Sequence, residues 1–213
     1  MSYLPPAPAP ASAQPSHSFF DRVVGSVKLS RPIFDEVRRD PSAMTQAAIV
    51  VVLTGLLSGI SQFAELRGQT IEFGDGDSYT VTNSFFGPLL SGIGVAIVAL
   101  IFWVIAAVIF RLVAVKMLSA PETEIQWQEV ARPLGFASAP GFLLILTPIP
   151  VLGFIIGSIV GLWSFAAQIV AMSETFRISK LRAFATILIA SIGLGIFLAL
   201  ISCICIFAVA AFV

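Results

Sequence analysis

The residues that could do chemistry in this chain are few. Glu122, Glu124 and Glu129 lie in the polar stretch PETEIQWQEVARP, and they are ionisable residues of the kind that an enzyme, a pump or an ion-coupled transporter would need. This stretch is more typical of a helix start at the cytoplasmic surface, with the carboxylates on a solvated face. Ser164 and Gln168 are the most polar residues of an apolar stretch, and hydrogen bonding between helices explains them more simply than catalysis does.

The remaining candidates carry no site motif. Asp75 and Asp77 suggest a calcium loop, but the other ligand positions and the closing glutamate of that motif are missing. Cys203 and Cys205 lie two residues apart in an apolar run, which predicts neither a disulfide nor a metal site. The sequence contains no Gly-x-Ser-x-Gly elbow and no phosphate-binding glycine loop followed by Lys-Ser or Lys-Thr. We therefore expect no catalytic residue, metal or cofactor.

The composition explains this scarcity, because 57% of the 213 residues are hydrophobic and only 11% are charged. Soluble domains carry roughly a quarter charged residues. The sequence therefore predicts an all-α integral membrane protein whose first partner is the lipid bilayer. The formal net charge of zero gives no indication of a nucleic-acid partner.

Helices of about 20 apolar residues are needed to cross the ~30 Å hydrocarbon layer. A block over 136–172 is too long for one such helix, and Pro148 and Pro150 predict its interruption. The sequence thus predicts five transmembrane helices, at about 43–64, 88–110, 131–147, 151–172 and 183–213.

The basic residues predict the orientation of these helices. Eleven of the 12 Lys and Arg residues fall on one side when five helices are drawn, and Arg67 alone falls on the other. Basic loops stay in the cytoplasm, so we expect a cytoplasmic N-terminus and an outer C-terminus. Three regions follow: a disordered Pro/Ala-rich tail over 1–17, an amphipathic cytoplasmic segment over 18–40, and the five-helix transmembrane domain over 41–213.

The amphipathic segment has an apolar face with Phe19, Phe20, Val23 and Val27 at helical spacing. We expect this helix to lie in the cytoplasmic membrane interface, with its basic residues toward anionic head groups. Packing of the helix on the cytoplasmic ends of the transmembrane helices is the alternative, and both can hold together.

Small residues at four-residue spacing indicate where transmembrane helices approach closely. The glycines of these stripes are Gly55 and Gly59 in the first helix, Gly153, Gly157 and Gly161 in the fourth, and Gly195 in the fifth. We favour packing within one chain over homodimerisation. On this interpretation, Gly157→Leu should prevent assembly of the bundle.

The segment ARPLGFASAPGFLLILTPIPVLGFIIGSIVGLWSFAAQIVAMSET resembles the Yip family, the Ypt/Rab-interacting membrane proteins, and in particular its prokaryotic branch. Gly135, Phe136 and Pro140 match the family's Gly-Tyr-x-x-x-Pro pattern, with phenylalanine in place of tyrosine. Five helices and a cytoplasmic N-terminus also agree. The resemblance implies a non-enzymatic protein of membrane organisation or trafficking. The short Pro/Ala-rich N-terminal segment counts against a GTPase partner.

We therefore expect a membrane scaffold or adaptor, which is a multi-pass protein of the cell membrane, or of an endomembrane in a eukaryote. Its partners would be other membrane proteins or a second copy of the chain. The alternative function is a small permease or channel component that uses the proline-interrupted third and fourth helices. A polar cavity at mid-depth near Pro140 and Gln168 would favour this alternative.

Overall fold

The computed structural model describes residues 17–72, 78–82, 84–118, 120–121 and 124–210, with side chains described as far as Ile196 and not at Tyr79. Residues 1–16 of the predicted tail, the aspartates of the suggested calcium loop, Glu122 and the side chains of both cysteines lie outside this description.

The described chain is mainly helical. In chain order its helices are α1 (Phe19–Val27), α2 (Arg31–Arg39), α3 (Ala43–Leu66), α4 (Gly87–Leu112), α5 (Trp127–Phe136), α6 (Leu152–Phe176) and α7 (Lys180–Ala210). A π-helical turn, Val113–Met117, extends α4, and a 3₁₀ segment, Ala139–Leu146, follows α5. The strands β1 (Thr70–Glu72) and β2 (Ser78–Thr80) form an antiparallel hairpin between α3 and α4, in which Ile71 is paired with Tyr79.

Four helical stretches among the described residues are long and apolar enough to cross a membrane: Ala43–Leu66, Gly87–Met117, Trp127–Leu146 and Leu152–Phe176. The protein is therefore a multi-pass membrane protein. The 31-residue helix α7 follows them, but its side chains beyond Ile196 are outside the described residues.

The helices α3 and α4 pack closely because glycine brings their backbones together. A Cβ atom built at Gly55 would lie 2.6 Å from the Cα atom of Ala96 in α4. A Cβ atom at Gly59 would lie 2.5 Å from the carbonyl oxygen of Ser91, whose hydroxyl donates to the Gly59 carbonyl at 2.8 Å. No larger residue fits either position without separating the two helices.

The third membrane-spanning stretch changes helix type halfway along its length. Gln126 and Glu129 form a capping box that starts α5 four residues before the predicted position. The α-helix ends at Phe136, and the chain continues as the 3₁₀ segment, with Pro140 in its first turn. A turn over 147–151 then leads into α6, and Val151 in this turn has a φ of +67°.

The ends of these elements define two ends of the bundle. At the proximal end, α2 contacts the start of α5 and the end of α6 through the ion pairs Arg38–Glu129 and Asp35–Arg177. At the distal end, the hydroxyl of Thr147 contacts Glu65, at the end of α3. The helices α3 to α6 therefore alternate in direction, and the β-hairpin lies at the distal end.

Candidate functional site

Residues 18–40, which we call the N-terminal hairpin, form two short helices packed against each other. Ser18 and Asp21 cap α1 reciprocally, and the hydrogen bonds from Ser18 lower the pKa of Asp21. Leu29 adopts a left-handed conformation with φ +59°, which lets α1 end and the chain reverse direction. A Cβ atom at Gly25 would lie 2.6 Å from the side chain of Ile33 in α2, so glycine permits this close contact.

Arg22 is the buried centre of the N-terminal hairpin, with 1% of the residue exposed. Its Nε and Nη2 atoms donate to Glu36 at 3.0 and 2.8 Å, and Nη2 also donates to Asp40 at 2.5 Å. Its Nη1 atom donates to Gln46, in the first turn of α3, at 3.0 Å. The side chain therefore connects α1, α2 and the first transmembrane helix. The expectation that the basic residues of this segment face lipid head groups is wrong for Arg22.

The charges of this network stabilise one another. Burial opposes the charge of Arg22, but the hydrogen bonds to Asp40 and Glu36 outweigh it, so that the pKa of Arg22 lies above its usual value. Partial burial likewise raises the pKa of both carboxyls, but their hydrogen bonds lower it more. Those bonds come from Ser42 and Arg22 for Asp40, and from Arg22 and His17 for Glu36. Both carboxyls therefore keep their charge to a lower pH than usual.

The predicted apolar face of α1 is divided between the bundle and the surroundings. Phe19 is half-buried, and its ring centroid lies 6.5 Å from that of Phe136. Val23 and Val27 also pack against the core. Phe20 and Val24 point away from the bundle, with 76% and 50% of the residues exposed. The helix therefore contacts the bundle through one side and presents an apolar pair on the other.

The N-terminal hairpin also contacts α6 at two levels. At the proximal end, Arg31 pairs with Glu174 at 3.4 Å. Deeper in the bundle, the Nε1 atom of Trp163 donates to the carbonyl oxygen of Val27 at 2.8 Å, at the end of α1. Trp163 precedes Phe176 by thirteen residues, about 20 Å along a helix. The end of α1 therefore contacts α6 at a deeper level than the ion pair does, through a side chain that stays partly exposed.

The family-motif residues lie where α1, α3 and α5 meet. A Cβ atom at Gly135 would lie 2.8 Å from the Cβ atom of Ala47 in α3, so this position requires glycine. Phe136 is fully buried, and its ring packs against the ring of Phe19. Pro140 is buried in the first turn of the 3₁₀ segment. The sequence identified these three residues by resemblance, and the structure places Phe136 against the N-terminal hairpin and Gly135 against α3.

The other predicted packing glycines differ in their surroundings. Gly153 lies directly against the carbonyl oxygen of Thr147. A Cβ atom at Gly157 would meet only the Thr147 methyl group, at 3.9 Å. Added Cβ atoms at Gly161 and Gly195 have no neighbour within 4 Å among the described residues. The expectation that Gly157→Leu prevents assembly therefore has no close intramolecular contact behind it.

A cavity of about 250 Å³, the central cavity, lies at mid-depth beside Gln168. Its lining is mainly apolar and aromatic, and includes Trp103 and Phe110. The Thr54 hydroxyl donates to the Ser138 carbonyl at 3.3 Å, and the Ser138 hydroxyl donates to Gly135, so both hydroxyl protons are used within the protein. This lining does not favour the permease alternative.

A larger cavity of about 520 Å³, the distal cavity, lies between α3, the 3₁₀ segment and α6 at the distal end. Its lining residues are Ser58, Ser61, Gln62, Glu65, Leu144, Thr147, Gly153, Phe154, Gly157 and Ser158. We did not single out its α3 residues from the sequence. Their spacing of three and four residues was the available signal, because it places polar side chains and a carboxylate on one face of an apolar helix.

No group of three or more His, Cys, Asp or Glu residues that could hold a metal ion is present among the described residues. Glu129, one of the candidate carboxylates, caps α5 and pairs with Arg38 at 3.3 Å. The structure therefore assigns this residue to the attachment of the N-terminal hairpin.

Comparison with known protein families gives a match that covers most of the chain. The family model of the Yip1 domain matches residues 28–202, a range that includes α2, every described transmembrane helix and the motif residues Gly135, Phe136 and Pro140. No curated protein and no solved structure is similar enough to the chain to count as a match. The family match and the apolar helices together show that the chain belongs to the Yip1 domain family of membrane proteins.

Proposed function

We propose that the protein is a non-enzymatic membrane scaffold or adaptor, with the N-terminal hairpin as its cytoplasmic working surface. The observation that carries this proposal is the double role of α1. One side of the helix is fixed to the bundle by Arg22 and Phe19, whereas the other side presents Phe20 and Val24. A rigidly held apolar pair at a membrane surface suits contact with the cytoplasmic leaflet or with another membrane protein.

The proposed topology has five transmembrane helices, with α7 as the fifth, a cytoplasmic N-terminus and an outer C-terminus. The domain division follows the sequence: the tail over 1–17, the amphipathic segment over 18–40 and the transmembrane domain over 41–213. Basic residues support this orientation, because the elements at the proximal end carry them and Arg67 follows α3 at the distal end. The membrane is the cell membrane, or an endomembrane in a eukaryote.

The proposed partners are the lipid bilayer and either other membrane proteins or a second copy of this chain. Close helix packing at Gly161 stays a prediction, because an added Cβ atom there has no neighbour within 4 Å among the described residues. Close helix packing at Gly195 in α7 also stays a prediction.

The adaptor role is tested by proximity labelling in native membranes, with a labelling enzyme fused to the full-length chain. Replacing Phe20 and Val24 together with serine should remove neighbours that the wild-type chain labels, because their apolar contact surface is lost. The matched control is Phe85→Ser at the distal end, where Phe85 is 91% exposed. Identical sets of labelled neighbours for all three chains would contradict the proposal.

A further inference from the structure

The distal cavity is lined by a polar stripe on a helix that is otherwise apolar. Four α3 residues share the face of the cavity: Ser58, Ser61, Gln62 and Glu65. Ser58 precedes Glu65 by seven residues, so the stripe extends about 10 Å along the helix. The polar head-group layer on each side of a bilayer is only about 5 to 8 Å deep. Polar side chains that lie deeper in the membrane than that layer normally face a cavity with a function.

Two hydroxyl groups in the cavity form a chain of hydrogen bonds that ends at the Glu65 carboxylate. The Oγ atoms of Ser61 and Thr147 lie 2.6 Å apart, and the Thr147 hydroxyl donates to Glu65. Ser61 itself is buried, and its hydroxyl also reaches the Leu144 carbonyl at 2.8 Å. None of the ten residues that line the cavity is basic. The cavity therefore contains a negative charge at one end that no lining residue balances.

Hydrogen-bond donors occupy another part of the same stripe. Ser58 and Gln62 lie one helical turn apart, and neither side chain makes a hydrogen bond to another described residue. A serine hydroxyl offers one donor and a glutamine amide offers two. The cavity thus presents a carboxylate that attracts a cation, close to donors that suit an oxygen-rich group.

We propose that the distal cavity binds the protonated primary amine of a zwitterionic phospholipid head group. The ammonium group donates hydrogen bonds to Glu65 and to the hydroxyl oxygens of Ser61 and Thr147, because a charged donor and a charged acceptor form the strongest such bonds. The adjoining phosphate accepts from Ser58 and Gln62. The volume of about 520 Å³ lies within the range of small-molecule sites, and the acyl chains stay in the bilayer. This site does not depend on the scaffold role proposed above.

Glycine at position 157 keeps the cavity open. A side chain there would enter the cavity, since an added Cβ atom meets only the Thr147 methyl group at 3.9 Å. Gly157→Leu should therefore fill the site and leave the bundle assembled. Gly161→Leu is the matched control, because Gly161 lies one turn further along α6, outside the cavity lining.

The test measures lipids retained by the purified full-length protein, using native mass spectrometry. The protein is presented with phosphatidylethanolamine and phosphatidylglycerol that carry identical acyl chains. The wild-type chain should retain phosphatidylethanolamine about tenfold better, the ratio expected for a hydrogen bond between charged groups. Glu65→Gln should abolish the preference, whereas Glu72→Gln, the same charge change on the distal β-hairpin, should preserve it. Gly157→Leu should reduce retention, and Gly161→Leu should not.

Free ethanolamine distinguishes the two sources of the amine. If wild type prefers phosphatidylethanolamine and added ethanolamine displaces it, the ammonium group of the lipid is the recognised feature. If wild type shows no lipid preference but binds free ethanolamine through Glu65, the lipid source is overturned. Equal retention of both lipids without ethanolamine binding, or equal losses in the Glu65 and Glu72 variants, would overturn the site altogether.

Discussion

Replacement of Arg22 by methionine should detach the N-terminal hairpin from the bundle. The substitution keeps an unbranched apolar stem but removes four hydrogen bonds, and it takes away the cation that the carboxylates of Glu36 and Asp40 share. Removing one partner of a buried ion pair costs about 3 to 5 kcal/mol. Both carboxylate side chains are 24% exposed and can be rehydrated, so we take the lower end, about 3 kcal/mol. That free energy raises the opening equilibrium constant of the hairpin by more than about 100-fold.

Hydrogen exchange of the α1 amides, measured by mass spectrometry on the full-length protein in nanodiscs, reports this opening equilibrium. The matched control is Arg39→Met in α2, because Arg39 is exposed and pairs only with Asp35 in the described part of the chain, at 2.7 Å. An exposed pair of this kind contributes about 0 to 1 kcal/mol, so the control should change protection less than about tenfold. Protection within about threefold of wild type in Arg22→Met, or equal losses in both variants, would refute the assignment of Arg22 as the buried anchor.

Three further predictions concern pH, packing and topology. The pKa of Glu36 and Asp40 lies below the usual value, so their contribution to hairpin attachment is present above the usual carboxyl pKa near 4 and is lost as the pH falls through their lowered pKa values. The protection factors of the α1 amides, which are corrected for the pH dependence of intrinsic exchange, should therefore fall in acid but stay constant between about pH 5 and 7. Gly55→Leu should lower the free energy of unfolding by about 3 kcal/mol or more in detergent, because its side chain meets the α4 backbone, whereas Gly161→Leu should leave it within about 0.5 kcal/mol. Membrane-impermeant labelling should find a cysteine at Ser2 on the cytoplasmic side and one in the C-terminal tail on the other, and labelling of both from one side would exclude five helices.

Local chemistry predicted several features of the fold from the sequence. The capping pair of α1 could be predicted because the Ser18–Asp21 interaction depends on only four consecutive residues. Pro148 and Pro150 lie in the turn that separates the 3₁₀ segment from α6, since proline cannot donate a backbone hydrogen bond. The close approach of α3 and α4 occurs at Gly55 and Gly59, where the absence of side chains leaves room for a neighbouring helix.

The features that depend on contacts between distant segments could not be predicted in the same way. The burial of Arg22 could not be predicted, because its partner Gln46 lies 24 residues further along the chain and nothing local indicates their contact. The 3₁₀ segment was predicted as ordinary transmembrane helix, since apolar composition does not distinguish one helix type from the other. The distal cavity requires α3, the 3₁₀ segment and α6 together, although the spacing of Ser58, Ser61, Gln62 and Glu65 was visible.

The change of helix type in the third transmembrane stretch sets the length of that stretch. A 3₁₀ helix rises about 2.0 Å per residue, against about 1.5 Å for an α-helix, so the eight residues from Ala139 to Leu146 extend about 4 Å further than they would in α form. The stretch carries Phe136, which contacts α1, near its middle, and Thr147 follows at its distal end. Rewinding of this segment into α form would therefore bring the hairpin contact at Phe136 about 4 Å closer to the distal cavity.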